Sequence, residues 1–205
     1  MSQDSNVTTA GGEPLWEEST RILDYLRSRA AALHAPAICS RLRSAARELE
    51  STVAAVRESD SRLRPFPGKW TIAEVVDHLA QSQIRAADEL RHLLAGRLPP
   101  APPVYDALRS GASEWAPWAE LVNGLRSADA ELIAVLAAGP GEFSGADAPR
   151  ARTVLVASRT GEDSRKVSQT FLADLVWKEY ALVQRFHMLD HCTQIKNLQK
   201  AIAGG

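Results

Sequence analysis

Cysteine is scarce in this chain: Cys39 and Cys192 are its two. They form no CxxC pair, so a disulfide scaffold is excluded and reduced, packed thiols are expected. Neither sign of charge dominates, with 24 lysines and arginines against 25 aspartates and glutamates and a net charge of -1. No sustained basic stripe points to nucleic acid as a partner. The arginines between Arg41 and Arg64 are interleaved with Glu48, Glu50, Glu58 and Asp60, the pattern of a solvated helix face. No apolar run approaches the roughly 18 residues of a membrane span, and the polar N-terminus lacks the apolar core of a signal peptide. No membrane partner is expected, and the expected location is cytoplasmic. The motifs GxSxG, GxxxxGKS/T and GxGxxG after a strand are also absent, which argues against serine-nucleophile, P-loop and dinucleotide chemistry.

What is present is an ordinary globular composition, 45% hydrophobic and 24% charged over 205 residues, enough to bury one good core. Residues 1–13 are polar, with Gly11 and Gly12, and read as a flexible tail ahead of a single domain over residues 14–205. The spacing of Leu15, Ile22, Leu23, Leu26 and Leu33 predicts a first helix. Pro36 is placed to restart the chain as a second helix over residues 37–59, presenting Leu42, Leu49, Val53 and Val56. After the rigid segment Pro65 to Trp70, Thr71 and Glu74 stand three apart as a capping box, opening a helix that runs to about Ala95. Five prolines between Pro99 and Pro117 make residues 96–117 a long connection, of the kind that borders pockets. An amphipathic helix follows over residues 118–138 and ends at Gly139-Pro140-Gly141. Thr153 to Val156 and Lys166 to Ser168, with a turn at Gly161 to Asp163, read as a small β-hairpin before the final helix, expected over residues 170–203. Long helices plus an extra N-terminal one indicate an all-α helix bundle with a hairpin insertion.

The final helix carries the chemistry. Leu172, Val176, Tyr180, Val183, Leu198 and Ile202 share one face at helical spacing, and His187, His191 and Gln194 interrupt it. Imidazoles at positions i and i+4 stack one above the other and can both reach a single ion about 2 Å from each nitrogen. Buried without partners they would cost free energy, so the chain must supply hydrogen bonds or a metal. A transition metal needs at least one more ligand. Of the remaining histidines, His78 is best placed, two turns into the strongly capped helix. His34 falls at the helix break, and His92 lies about 21 Å beyond His78 at 1.5 Å per residue; both are read as surface or packing groups.

Two stretches carry a family resemblance. Pro67-Gly68-Lys69-Trp70-Thr71-Ile72-Ala73-Glu74-Val75-Val76-Asp77-His78-Leu79 resembles the opening of the second core helix of the DinB/YfiT-like metalloenzymes, and His187-Met188-Leu189-Asp190-His191-Cys192-Thr193-Gln194-Ile195 resembles their closing HxxxHxxQI signature. The resemblance covers roughly residues 37–203. It implies an up-down-down-up four-helix bundle that binds a divalent ion through His78, His187 and His191. Members with known activity use the metal to activate a small thiol or water, as in the mycothiol- and bacillithiol-dependent transferases and isomerases. The mycothiol-dependent isomerase branch has a carboxylate where this chain has His187, so the resemblance points to the three-histidine branch.

Three neutral imidazoles leave the ion's double positive charge intact and at least one position open, the arrangement of a catalytic site. A bound water can then reach a pKa of about 7, and a bound thiol loses its proton. Zinc suits the ligands best; nickel, iron and manganese are the alternatives. Asp190 and Gln194 are candidates to orient a ligand ring or handle a proton. Arg85, which shares a helix side with Glu74, His78 and Ser82, is a candidate for a substrate carboxylate or a thiol cofactor's acid group. Tyr180, Trp70 and Trp177 read as packing residues. The expected partner is a small-molecule substrate; the residues leave the oligomeric state open, and the resemblance admits a homodimer, since family members are often dimers. Two functions follow: a metal-dependent transferase or hydrolase, and a non-enzymatic stress-response or binding bundle whose metal is structural or adventitious.

Overall fold

In the computed structural model, residues 8–9, 14–139, 148–160 and 166–204 are described. A two-residue strand β1 (Thr8–Thr9) precedes helix α1 (Glu17–Ala32). Helix α2 (Ala35–Ala54) has Pro36 in its first turn, where a missing N–H costs nothing. It ends before the expected Ser59, and the chain turns into a single helical turn, α3 (Glu58–Ser61), so that Val56 is buried from the turn. Helix α4 (Ile72–Leu94) opens with the expected capping box. The Thr71 hydroxyl accepts from the Glu74 backbone N–H at 3.2 Å, and the Glu74 carboxylate accepts from the Thr71 N–H at 2.7 Å.

The proline-rich connection contains a 3-10 turn at Ala112–Glu114 and leads into α5 (Trp118–Ala138). Arg62 fastens this connection, its guanidinium donating to the carbonyls of Ser113 and Ala116. Strands β2 (Ala151–Thr160) and β3 (Lys166–Leu175) pair antiparallel, and α6 (Trp177–Gly204) closes the chain. The turn expected at Gly161 to Asp163, and Pro140 and Gly141, lie outside the described residues.

Helices α2 and α4 each pack on both α5 and α6, enclosing one core. Leu42, Leu49, Leu79, Leu90, Leu132 and Met188 are fully buried there. Helix α1 packs on α6 and β2 outside this bundle. The sheet order is β1-β3-β2, with Thr8 opposite Leu172 and Thr9 opposite Phe171. Thr8 and Thr9, within the segment read as a tail, are therefore an edge strand; the rest of residues 1–13 lies outside the described residues.

The hairpin corrects the sequence reading. It is longer than expected, and α6 begins at Trp177 because residues 170–175 belong to β3. Phe171, Ala173 and Leu175 are buried at a period of two, which is strand patterning. Leu172 faces Val154 across the ladder rather than sharing a helix face with Tyr180. At the true start, the Glu179 carboxylate accepts from the Val176 N–H at 3.0 Å and the Val176 carbonyl takes the first helical bond. Among the described residues, no helix is long and apolar enough to cross a membrane.

Candidate metal centre

Three histidines from two facing helices meet inside the bundle. Nε2 of His187 lies 3.0 Å from Nε2 of His78 and 3.1 Å from Nε2 of His191, and one ligand nitrogen from each falls within 4.8 Å of the others. Ligands held about 2 Å from one tetrahedral ion stand about 3.3 Å apart, so the spacing matches a shared ion. The rings meet edge to face, with interplanar angles of 86° and 84° about His187, which turns the nitrogens rather than the ring faces toward one another.

The outward nitrogens fix the tautomers. Nδ1–H of His78 donates to the Leu108 carbonyl at 2.9 Å, and a carbonyl can only accept, so Nε2 of His78 carries a lone pair. Nδ1–H of His191 likewise donates to Oε1 of Gln194 at 2.7 Å. Burial, then the neighbouring imidazoles, pushes His187 down to about 3, and burial foremost pushes His191 down to about 4. Burial also lowers His78. All three are neutral near pH 7, and their lone pairs converge with too few protons to satisfy one another. That donor set fits a divalent transition metal.

The loop that holds His78 is itself anchored. The buried carboxylate of Asp77 accepts from the Ser110 hydroxyl at 2.6 Å and the Gly111 N–H at 3.0 Å. Gly111 takes φ +82°, where a side chain would be strained. Glu74 pairs with Arg64 and Arg109; burial works to raise its pKa, but bonds from Thr71 and the Arg64 charge outweigh that and hold it below its usual value. Trp70 lies against the histidines, its ring 5.0 Å from His78 and stacked at 6.3 Å on His191, with the Arg109 guanidinium over its face.

A cavity of about 830 Å³ opens beside the cluster, with His78 and His187 on its wall. Ser82, Arg85 and Glu89 continue from His78 along α4, and Gln184 and Tyr180 continue from His187 along α6. The Tyr180 hydroxyl donates to Glu89, and burial together with that carboxylate raises the phenol well above its ordinary value. Arg85 pairs with Glu89 and donates to the Pro102 carbonyl at 2.6 Å. Asp190 sits on the cavity rim, exposed.

The structure thus brings together His78, His187, His191 and Gln194, and places Arg85 and Asp190 on the adjoining cavity. His34 is the exposed residue preceding α2, and His92 lies in the last turn of α4; neither joins the cluster. Trp70 is more than the packing residue the sequence suggested, since it covers two of the rings. Glu89 and Asp77 were missed. A carboxylate eleven residues after His78, on the same helix face, is the signal that could have found Glu89; no local pattern marks the Leu108 carbonyl.

A family model for the DinB superfamily matches residues 41–157, a span that contains His78 and stops before His187. No functionally characterised protein in the curated set matches significantly. Among solved structures, the mycothiol-dependent maleylpyruvate isomerase aligns at TM-score 0.55 and 13% identity, over 80% of this chain and 61% of that one. This chain therefore spans less than two thirds of that protein. YfiT from Bacillus subtilis, described as a probable metal-dependent hydrolase with an unusual four-helix bundle topology, aligns at TM-score 0.52 and 15% identity over 92% of this chain and 90% of its own. Both likenesses are of fold, and with the matched family span they make this chain a member of the DinB superfamily.

Proposed function

We propose that the chain is a metal-dependent enzyme that holds a divalent ion, zinc first, through Nε2 of His78, His187 and His191 and acts on a small-molecule substrate as a thiol S-transferase or hydrolase. The observation that carries the reading is the convergence of three imidazole Nε2 atoms beside a cavity of about 830 Å³. A divalent ion there supplies Lewis acidity, enough to lower the pKa of water to about 7 or to deprotonate a thiol. The chain's own residues do the rest. Leu108 and Gln194 fix the orientation of two rings, and Trp70 shields them from solvent. Arg85, whose guanidinium keeps N–H groups beyond those given to Glu89 and Pro102, offers donors to a substrate lying along α4 and α6. A closed structural site would fill its fourth position with a side chain; the cavity beside His78 and His187 favours catalysis.

The loop after α4 supports the up-down-down-up order. Arg85 bonds Pro102, His78 bonds Leu108 and Asp77 bonds Ser110, so the loop retraces α4 toward its start. On this reading α5 sets out beside the beginning of α4 and runs parallel to it.

The test is a paired screen of zinc-loaded protein: transfer of a small thiol to an activated aryl halide, and hydrolysis of small esters and amides. Turnover abolished by His187→Ala supports the reading. Turnover equal in wild type and variant, or none with either class in fully loaded protein, contradicts it.

A further inference from the structure

Helix α1 and strand β3 both lie outside the span matched by the family model, and they are tied together by one buried side chain. Oε1 of Gln169 accepts from the Trp16 N–H at 2.9 Å and the Ser19 hydroxyl at 2.8 Å, while its Nε2 donates to the Pro14 carbonyl at 3.0 Å. The Arg159 guanidinium lies 4.2 Å from the Trp16 ring centroid and closes the same joint. This latch holds α1 beside β2, and Ile22, Tyr25 and Leu26 of α1 line the cavity together with Val154 and Leu155 of β2. Tyr25 also packs edge-on against Phe186 of α6, at 5.5 Å between centroids. The wall that α1 and β2 supply thus carries apolar and aromatic side chains beside Arg21, Arg152 and Thr153.

Each arginine on the cavity wall has a carboxylate partner, and the lining adds the carboxylates of Asp106 and Asp190. Arg85 pairs with Glu89, Arg152 with Asp174 and Arg21 with Glu17. A polyanion such as a phosphate ester would have to break those pairs. A neutral molecule with an apolar body would not, and the volume lies within the range of small-molecule pockets, about 300–1,000 Å³.

We propose that α1 and the hairpin, latched by Gln169, form a specificity chamber for the alkyl or aryl body of the substrate, whose reacting carbonyl or electrophilic carbon faces the histidine cluster. The orientation rests on the metal-enzyme reading above; binding of the apolar body does not.

The experiment uses zinc-loaded full-length protein and a series of hydroxamates, whose common head chelates divalent ions, titrated by calorimetry. Affinity should rise from acetohydroxamate to octanohydroxamate by about fourfold for each methylene that enters the chamber. Tyr25→Ala and Gln169→Leu should each reduce that gain at least tenfold for octanohydroxamate and leave acetohydroxamate unchanged. Equal affinity along the series, or an undiminished gain in the Tyr25→Ala protein, overturns the chamber. Should Gln169→Leu fail to fold, Tyr25→Ala alone decides. The matching carboxamides, which do not chelate, are titrated into zinc-free protein. A chain-length gain there with no zinc uptake sinks the metal reading and keeps the chamber; a flat carboxamide series sinks the chamber whatever the zinc result.

Discussion

Nε2 of His78 lies 3.0 Å from Nε2 of His187, although the two residues are 109 positions apart. The contact exists because α4 and α6 face each other across the bundle, and it makes His78 the test of whether the cluster acts as one site. His78→Ala should weaken zinc binding by a hundredfold or more, while His92→Ala, in the last turn of α4, should leave it within twofold. Competition against a chromophoric chelator measures both. Equal retention by the two variants would break the three-ligand assignment.

Gln194 holds His191 through its amide oxygen at 2.7 Å. Partners of this kind set ring orientation, and losing one typically costs about 10–100-fold in metal affinity. Gln194→Leu should show a loss in that range with an unchanged far-ultraviolet circular dichroism spectrum. Unaltered affinity would mean the ring is positioned by packing alone.

Asp77 never touches the cluster, yet it fixes the loop whose Leu108 carbonyl orients His78. Asp77→Ala strands the Ser110 and Gly111 donors and should cost about 1–3 kcal/mol in stability. Amide exchange should quicken across residues 108–111 while the core of α5 stays protected. Uniform acceleration throughout the bundle would show instead that Asp77 supports the whole fold.

Asp129 gives the clearest pH dependence. Burial first, and the nearby Glu50 second, raise its carboxyl from an ordinary 3.8 to about 7. Between those values the folded state keeps a proton that the unfolded chain releases, so stability falls as pH rises from about 4 to 7 and the full penalty stands above that. Asp129→Asn removes the titration. It should gain about 2 kcal/mol at pH 8, a Tm rise of about 4–8 °C, and about a quarter of that at pH 4.5. The same difference at both pH values would show that ionisation of Asp129 is not the cause.

What the sequence disclosed follows from the range of the interactions involved. The start of α4 was legible because Thr71 and Glu74 satisfy each other's backbone within one turn, and the limits of α5 because Pro117 and Gly139 bracket it. The HxxxH pair was legible because helical spacing alone stacks the rings. The join between β3 and α6 was not: Leu172, Val176 and Tyr180 stand four apart and imitate a helical stripe, while the pairing with β2 that fixes residues 170–175 as strand is made by residues up to 24 positions away. Leu108 escaped notice because its contribution is a backbone carbonyl, which has no residue signature. Glu89 looked like a solvated carboxylate until Tyr180 and Arg85 were seen around it.

The central claim is that the three histidines bind a metal, and elemental analysis of untagged protein purified without chelators tests it most directly, wild type beside His187→Ala/His191→Ala. The account predicts close to one equivalent of a transition metal in wild type and almost none in the variant. Wild-type protein that stays metal-free after incubation with zinc or nickel, or a double variant that retains its equivalent, would contradict it.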